Sequence, residues 1–245
     1  MITYVAKDLA TGLRLAGDAD VRLPALSTIK VLVAAAFWRA VAAGELSESR
    51  PFAFQPWASV GGGVLRGFRH AAKFGFGDLA HLMLAVGDDD ATNIVASFVR
   101  LERINALAAG LDLTGTRMQR VTIDDGAATG RDNLTSAADL AALLEELATG
   151  ERLGPAVSGP VWASLEKRQR LDGIARYLPR GATYAGLCAD DGPEGRHAHD
   201  CCLVRQGGRR SIIAVMTHDA GGCETVSRLG AALYETLGRA AQGRD

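Results

Sequence analysis

Hydrophobic and polar residues follow two different periods along the chain, and the first change of period comes just after residue 23. Residues 2–9 and 13–23 alternate loosely on either side of a short turn that contains Gly12, which predicts a β-hairpin. The next segment, Ser27 to Ala43, is apolar on nearly every side and rich in Ala, Val and Leu. That pattern predicts a helix that is buried on all faces.

Helical patterns continue through the middle of the chain. They cover residues 78–86, 90–99, 101–109, 137–148 and 157–170. Ser136 and Asp139 have the spacing of a capping box at the start of the fourth of these helices. Residues 45–77 and 111–134 carry mainly loop signals, with several glycines and prolines in the first of them.

The strand period returns in the last third of the chain. Three strands are predicted at residues 182–189, 198–205 and 210–217, with a hairpin turn at 206–208, and an amphipathic helix follows at 223–241. Strands therefore come from both ends of the chain and helices from its middle. The economical arrangement is one antiparallel sheet built from both termini with a helical lobe inserted between them.

The predicted fold class is thus α+β, with a five-stranded antiparallel sheet and an all-helical insertion. We expect residues 1–245 to form a single unit. In it, residues 1–26 and 182–245 would make the sheet lobe with its terminal helix, and residues 27–181 would make the mainly helical lobe.

Composition narrows the function classes. Hydrophobic residues make up 48% of the 245 residues and charged residues 22%, as in ordinary globular proteins. The net charge of -1 gives no electrostatic reason to expect nucleic acid or an anionic membrane as a partner. The longest apolar run, Val31 to Trp38, is too short to span a bilayer, and the N-terminus lacks a signal-peptide pattern. The sequence therefore predicts a cytoplasmic protein that binds a small-molecule substrate.

Cysteine and histidine spacing does not indicate a metal or another cofactor. No C-x-x-C pair and no H-E-x-x-H occurs, and His197 and His199 share a strand face without a third ligand in view. We therefore expect no metal and no cofactor. The four cysteines are predicted to be free, reduced thiols: Cys188, Cys201, Cys202 and Cys223.

The strongest chemical signal is Ser27-Thr28-Ile29-Lys30 at the start of the apolar helix. Residues three apart lie on one helix face, so Lys30 can reach Ser27. A lysine on such an apolar helix is desolvated, which lowers its pKa towards that of a usable base for a serine nucleophile. The alternative is structural, with Ser27 as a helix cap and Lys30 extending to solvent.

The order of elements and several local segments together resemble the class A β-lactamases and the related penicillin-binding proteins. The similar segments are Leu26–Lys30, Gly63–Arg66, Asp78–Met83, Asp90–Asn93, Gly130–Asp139 and His199-Asp200. The resemblance implies the fold of that family and a serine acyl-enzyme mechanism. It also implies an oxyanion hole made by the backbone N–H groups of Ser27 and Leu187, and places Asn93 beside the second motif.

The second family motif, S-D-N, aligns with Gly87-Asp88-Asp89. The hydroxyl that passes a proton to the leaving group is therefore missing at Gly87. The amide that would hold a substrate is an acid at Asp89, which repels anionic substrates. Asp88 or Asp89 can instead be hypothesised to bind a cationic or amine-bearing substrate, or to lie at a solvated helix start.

The third family motif, K-T-G, aligns with Tyr184-Ala185-Gly186, so only Gly186 is kept. The cation and hydroxyl that bind a substrate carboxylate are both lost. Tyr184 is a candidate proton donor, and its alternative is an ordinary strand aromatic. No glutamate occurs in residues 111–134, where the family has its deacylating base, and Asp124 and Asp125 are the nearby acids.

Three hypotheses remain open on these residues. The first is a cytoplasmic serine hydrolase or acyltransferase that forms a Ser27 acyl-enzyme with Lys30 as base, on an amide, ester or lactam without the usual carboxylate. Such a protein would be an inefficient β-lactamase and would suit a biosynthetic step. The second is a binding or scaffold protein that has lost the chemistry. The third is a genuine β-lactamase with atypical motifs.

Overall fold

The computed structural model describes residues 1–121, 132–192 and 195–242. Its main sheet has five antiparallel strands in the order β2-β1-β9-β8-β7. The strands are β1 (Ile2–Asp8), β2 (Arg14–Gly17), β7 (Thr183–Asp190), β8 (His197–Gln206) and β9 (Arg209–His218). The predicted sheet from both chain ends is confirmed, and β1 pairs directly with β9 to join them.

Local sequence explains the tightest turn of this sheet. Strands β8 and β9 are joined by Gly207 and Gly208, both with positive φ (57° and 83°). A two-residue hairpin whose central residues both have positive φ matches the twist of the strands, and glycine adopts it without steric cost. The register therefore continues without interruption from Gln206 opposite Arg209 to His197 opposite His218.

Seven helices occupy the described part of the chain. They are α1 (Ile29–Ala42), α2 (Phe76–Ala85), α3 (Asp89–Val99), α4 (Leu101–Gly110), α5 (Ala137–Thr149), α6 (Pro155–Leu165) and α7 (Gly222–Gln242). Helix α1 is surrounded by α2, α3, α4 and α6, as its apolar pattern predicts. The Ser136 hydroxyl accepts the N–H of Asp139 at 3.1 Å and so caps α5.

The two faces of the sheet are covered differently. Helix α5 packs on one face beside the helices around α1, and α7 packs on the other. The buried apolar residues accordingly form two clusters. In β7, Ala185 and Leu187 belong to the cluster around α1, whereas Tyr184 packs with the cluster under α7. This alternation decides which β7 side chains can reach a site near α1.

Some predicted boundaries were wrong. A second hairpin, β4 (Pro51–Phe54) with β5 (Ala72–Gly75), lies in the region assigned to loops, and a two-residue pair, β3 (Leu23–Pro24) with β6 (Leu134–Thr135), links distant segments. These strands are too short for a clear alternation. Helix α6 also ends at Leu165, five residues before its predicted end at residue 170.

Candidate active site

Ser27 lies in a 3-10 turn, Leu26–Thr28, that runs directly into α1. Its side chain is half-buried, and it caps neither the turn nor the helix. Leu26, just before it, has a φ of +48°, a left-handed conformation that is uncommon and strained for a branched residue. Ser27 therefore stands at a sharp, sterically constrained entry to the buried helix.

His199 anchors the chain just before this turn. The backbone N–H of Thr217 donates to His199 Nδ1 at 3.3 Å, so the other ring nitrogen, Nε2, carries the proton and donates to the Pro24 carbonyl at 2.9 Å. Burial lowers the pKa of His199, which keeps the imidazole neutral. On the other side, the N–H of Ala25 donates to the Asn133 carbonyl at 2.6 Å. Strand β8 and the segment before α5 thus hold the Ser27 turn from two directions.

Lys30 is fully buried, with 0% of its surface exposed. Its ammonium donates to the Gly87 carbonyl at 2.7 Å and to Asp89 Oδ1 at 2.6 Å. Burial is the largest influence and lowers the pKa of Lys30, while Asp89 acts in the opposite direction. The alternative in which Lys30 extends to solvent is therefore wrong. Within the described ranges, no hydrogen bond joins Lys30 to Ser27.

Asp88 plays a structural part. It is 0% exposed, its Oδ1 accepts the N–H of Ala91 at 2.8 Å as the cap of α3, and its Oδ2 accepts the N–H of Leu65 at 2.9 Å. Asp89 Oδ2 likewise accepts the N–H of Gly62 at 3.0 Å. Both acids are thus engaged by donors inside the protein, and the fully buried Asp88 does not lie at a solvated helix start. That Asp88 or Asp89 binds a cationic substrate stays a prediction.

The three glycines before this helix pack against its three acids. An added Cβ on Gly61 would lie 2.4 Å from the Cβ of Asp89, and one on Gly63 would lie 2.3 Å from Asp88 Oδ2. Asp90 Oδ1 accepts the N–H of Val60 at 3.0 Å. The glycine run therefore lets the main chain approach the acids closely enough to supply their N–H donors.

Tyr184 lies on the sheet face under α7. Its hydroxyl donates to Asp200 Oδ1 at 2.8 Å, and Asp200 Oδ2 accepts the N–H of Ile174 at 2.6 Å. Burial raises the pKa of the Tyr184 phenol well above its ordinary value. The prediction that Tyr184 acts as a proton donor beside Ser27 is therefore wrong. Its phenol positions the buried Asp200 instead.

The backbone of Leu187 is turned towards β8. The N–H of Asp191 donates to the carbonyl of His197, the residue opposite it on β8, at 3.4 Å. Every second residue of an antiparallel strand is hydrogen-bonded to the residue opposite it. Leu187 lies four residues before Asp191 and opposite Cys201, so its N–H also points to β8. By the same alternation the backbone of Cys188 faces the free edge, where its carbonyl accepts from Arg168. The prediction of Leu187 N–H as an oxyanion donor is therefore wrong.

Gly186 and Asn93 were predicted as substrate-binding or auxiliary residues, and for Asn93 this stays a prediction. A Cβ on Gly186 would lie 2.4 Å from the Cβ of Cys202 and 2.5 Å from the Cys201 carbonyl, so this glycine serves strand packing. Asn93 is half-buried one turn after Asp89 on α3 and lines a groove of about 580 Å³ beside the β4–β5 hairpin. The aromatic floor of that groove includes Phe76 and Phe98, not the Ser27 turn.

Arg168 is a residue of this region that the sequence analysis missed. It is 7% exposed, and its guanidinium donates to the Leu84 carbonyl at 3.1 Å and to the Cys188 carbonyl at 3.2 Å. Its Nε has no hydrogen-bond partner, and no described carboxylate forms an ion pair with it. A Cβ on Gly87 would lie 2.8 Å from Nη1. Nothing in the polar run Lys167–Arg170 distinguishes this arginine from its neighbours.

Other polar clusters lie away from the Ser27 turn. The four cysteines are free, as predicted, and burial raises the pKa of the Cys188 thiol to about 12. One group of possible metal ligands is present within residues 1–121, 132–192 and 195–242: Asp172, Asp190 and Cys223. Both of its carboxylates form ion pairs with Arg170, whose positive charge compensates part of theirs. His197 contacts His218 and Asp191 at the end of the sheet.

Ser27, the buried Lys30 and the Gly87–Asp89 segment thus converge at the start of α1. The profile of the β-lactamase enzyme family matches residues 1–237. The chain belongs to this family. The family is one of β-lactamase-like serine hydrolases, which supports the general enzyme class. No match was found among the curated proteins.

Several solved structures share the fold. A β-lactamase from Sphaerobacter thermophilus is 21% identical with a TM-score of 0.88, covering 98% of this chain and 91% of that one. A mutant of PBP-A, in acyl-enzyme complex with penicillin G, is 22% identical with a TM-score of 0.86 over 98% and 90%. A β-lactamase from Chitinophaga pinensis is 14% identical with a TM-score of 0.85 over 97% and 94%. These likenesses show the β-lactamase/transpeptidase-like fold.

Two further expectations concern regions and properties outside this geometry. Asp124 and Asp125, the acids nearest the family's deacylating position, lie outside the described residues. None of the helices in the described ranges is both long and apolar enough to cross a membrane.

Proposed function

We propose that this member of the β-lactamase family is a serine hydrolase or acyltransferase that acts through a Ser27 acyl-enzyme. Lys30 is its general base, and the substrate is an amide, ester or lactam. The observation that carries the proposal is the complete burial of Lys30 one helical turn from a half-exposed serine. Burying an ammonium costs stability even when a partner such as Asp89 offsets part of the cost, so its presence on an otherwise apolar helix favours a chemical role.

The proton movements follow from these two side chains. The neutral Lys30 amine takes the Ser27 hydroxyl proton while Oγ forms a bond to the acyl carbon. The resulting ammonium then gives that proton to the leaving amine or alcohol as its bond to the acyl carbon breaks. Water or a second nucleophile next attacks the ester and releases Ser27. The loss of a hydroxyl at Gly87 means that Lys30 performs both transfers itself.

The experiment is intact-protein mass spectrometry after exposure to a fluorophosphonate probe and to a panel of activated esters and β-lactams. Wild type would be compared with Ser27→Ala and Lys30→Met. Ser49→Ala and Lys73→Met are matched controls, because both of these side chains are exposed. A single adduct that is lost only in the Ser27 and Lys30 variants supports the proposal.

The persistence of that adduct distinguishes the two reactions. A short-lived adduct indicates a hydrolase, and one released only by an added amine or alcohol indicates an acyltransferase. The absence of any adduct in protein shown by circular dichroism to be folded would reject the acyl-enzyme and leave a binding protein as the better account.

Arg168 favours a second candidate, a genuine β-lactamase with atypical motifs. Its buried guanidinium keeps one unpartnered N–H at Nε and places Nη1 beside Gly87, and a charge-assisted hydrogen bond to a carboxylate contributes about 1.5–3 kcal/mol. Such a cation offsets the loss of the third-motif lysine. Steady-state hydrolysis of a penicillin that falls at least tenfold in Arg168→Gln would support this candidate. No hydrolysis by the wild type would reject it.

A further inference from the structure

The Asp89 carboxylate is held rigidly against the Lys30 amino group. Its Oδ1 accepts from Lys30 Nζ at 2.6 Å, and its Oδ2 accepts the N–H of Gly62 at 3.0 Å. The side chain is 19% exposed and starts the first turn of α3. Both oxygens are therefore fixed, and the carboxylate cannot turn away from Lys30 without breaking two hydrogen bonds.

Two hydrogen-bond acceptors contact the Lys30 nitrogen and leave one of its three substituent positions open. An amino group has three substituent positions besides its carbon, filled by three hydrogens in the ammonium and by two hydrogens and a lone pair in the amine. Asp89 Oδ1 and the Gly87 carbonyl, at 2.6 and 2.7 Å, take two of these positions. No described residue takes the third position, and Ser27 lies three residues before Lys30, at the entry to the same helix.

We propose that Asp89 is a positioning residue for the acylation of Ser27, which holds Lys30 in an ion pair and reserves the third position of its amino group for the serine. The inference rests on the proposed function of Ser27 and Lys30. It assigns to the carboxylate an effect that an amide cannot have. An asparagine would accept the same hydrogen bond but would not stabilise the positive charge.

The groups that face Lys30 act in opposite directions. Asp89 and Asp88, both at the start of α3, favour the ammonium form. Burial within the helices around α1 and the guanidinium of Arg168 favour the neutral amine, and burial is the largest of these influences on the pKa of Lys30. Asp88 is already engaged by two backbone N–H groups, so Asp89 is the acid in direct contact with the amino group.

The consequence is that wild-type enzyme must lose a proton from Lys30 before Ser27 can react. An opposite charge at this distance changes a pKa by about 1–3 units. Asp89→Asn should therefore lower the pH at which Lys30 becomes a base by at least about one unit. On the acidic side of the pH profile, the rate at which the probe labels Ser27 should be about tenfold or more higher in this variant than in wild type.

The test uses a fluorophosphonate, whose reaction requires only the first proton transfer. The Ser27 hydroxyl proton goes to Lys30, the Oγ–P bond forms, and fluoride leaves as the anion. Labelling rates would be measured from pH 5 to 10 for wild type, Asp89→Asn and the control Asp90→Asn. Asp90 accepts from Val60 and Gly61 N–H groups and does not contact Lys30. A downward shift of the profile in Asp89→Asn alone is expected.

A second measurement does not depend on labelling. The chain has only four lysines, so ¹³Cε resonances of labelled lysine can follow Lys30 directly, with Lys30→Arg as the assignment. Titration of this resonance at lower pH in Asp89→Asn than in wild type and in Asp90→Asn supports the inference. An unchanged titration overturns it, whether or not the probe reacts. Failure of the wild type to label at any pH rejects the proposed function separately.

Discussion

Burial of the Asp200 carboxyl makes the stability of the fold depend on pH in a direction that can be worked out. Desolvation raises its pKa to about 6, against the ordinary value of 3.8, despite hydrogen bonds from Tyr184 and the N–H of Ile174. Because the folded state binds this proton more tightly, the resulting stabilisation is fully present below pH 3.8 and is lost as the pH rises through about 6. Between pH 7.5 and pH 5 it amounts to about 1.4 kcal/mol, a tenfold change in the folding equilibrium.

Urea unfolding of wild type and Asp200→Asn, each at pH 5 and pH 7.5, measures this quantity. The stability difference between the two proteins should change by about 1.4 kcal/mol in favour of wild type at pH 5. Comparing the two proteins cancels the pH-dependent contributions of the other carboxyl groups, which both proteins share. Tyr184→Phe removes a hydrogen-bond donor that lowers the pKa of Asp200, so this variant should gain more stability than wild type when the pH is lowered from 7.5 to 5. An identical difference at both pH values would refute the reasoning.

Two further substitutions test other contacts. Gly186→Ala should destabilise the protein by about 1–3 kcal/mol or more in urea unfolding, because its Cβ would lie 2.4 Å from that of Cys202; a loss below 0.5 kcal/mol would contradict this packing. His199→Phe leaves the Pro24 carbonyl without its donor and should cost about 1–3 kcal/mol while slowing fluorophosphonate labelling of Ser27. Labelling at the wild-type rate would show that the turn holds its shape without His199.

Elements with long, regular patterns could be predicted from the sequence. The apolar helix that became Ile29–Ala42 and the last three strands fell within about two residues of their observed bounds. The hairpin of Pro51–Phe54 with Ala72–Gly75 could not be predicted, because four-residue strands joined by a long connection show no clear period.

The candidate site was predictable only where it is local. Ser27 and Lys30 are three residues apart, so helix geometry alone relates them. The partners of Lys30 come from a loop 57 residues later, and Arg168 comes from further still, which no spacing rule can reach. Strand β7 was placed within one residue, but a shift of one residue exchanges the two faces and the two edges of a strand. That sensitivity explains the errors at Tyr184 and Leu187.

The close approach of Arg168 to Gly87 also limits how this protein can be changed by mutation. Any side chain at position 87, including serine, would begin 2.8 Å from the guanidinium, on a backbone whose φ is +76°. A serine at 87 would have to hold this left-handed backbone conformation whatever residue stands at position 168. The contact with Arg168 adds less, because Nη1 is the end of a long side chain that can shift. Single-site libraries would therefore score serine at 87 as harmful, and shortening Arg168 in the same molecule should restore only the smaller part of the loss.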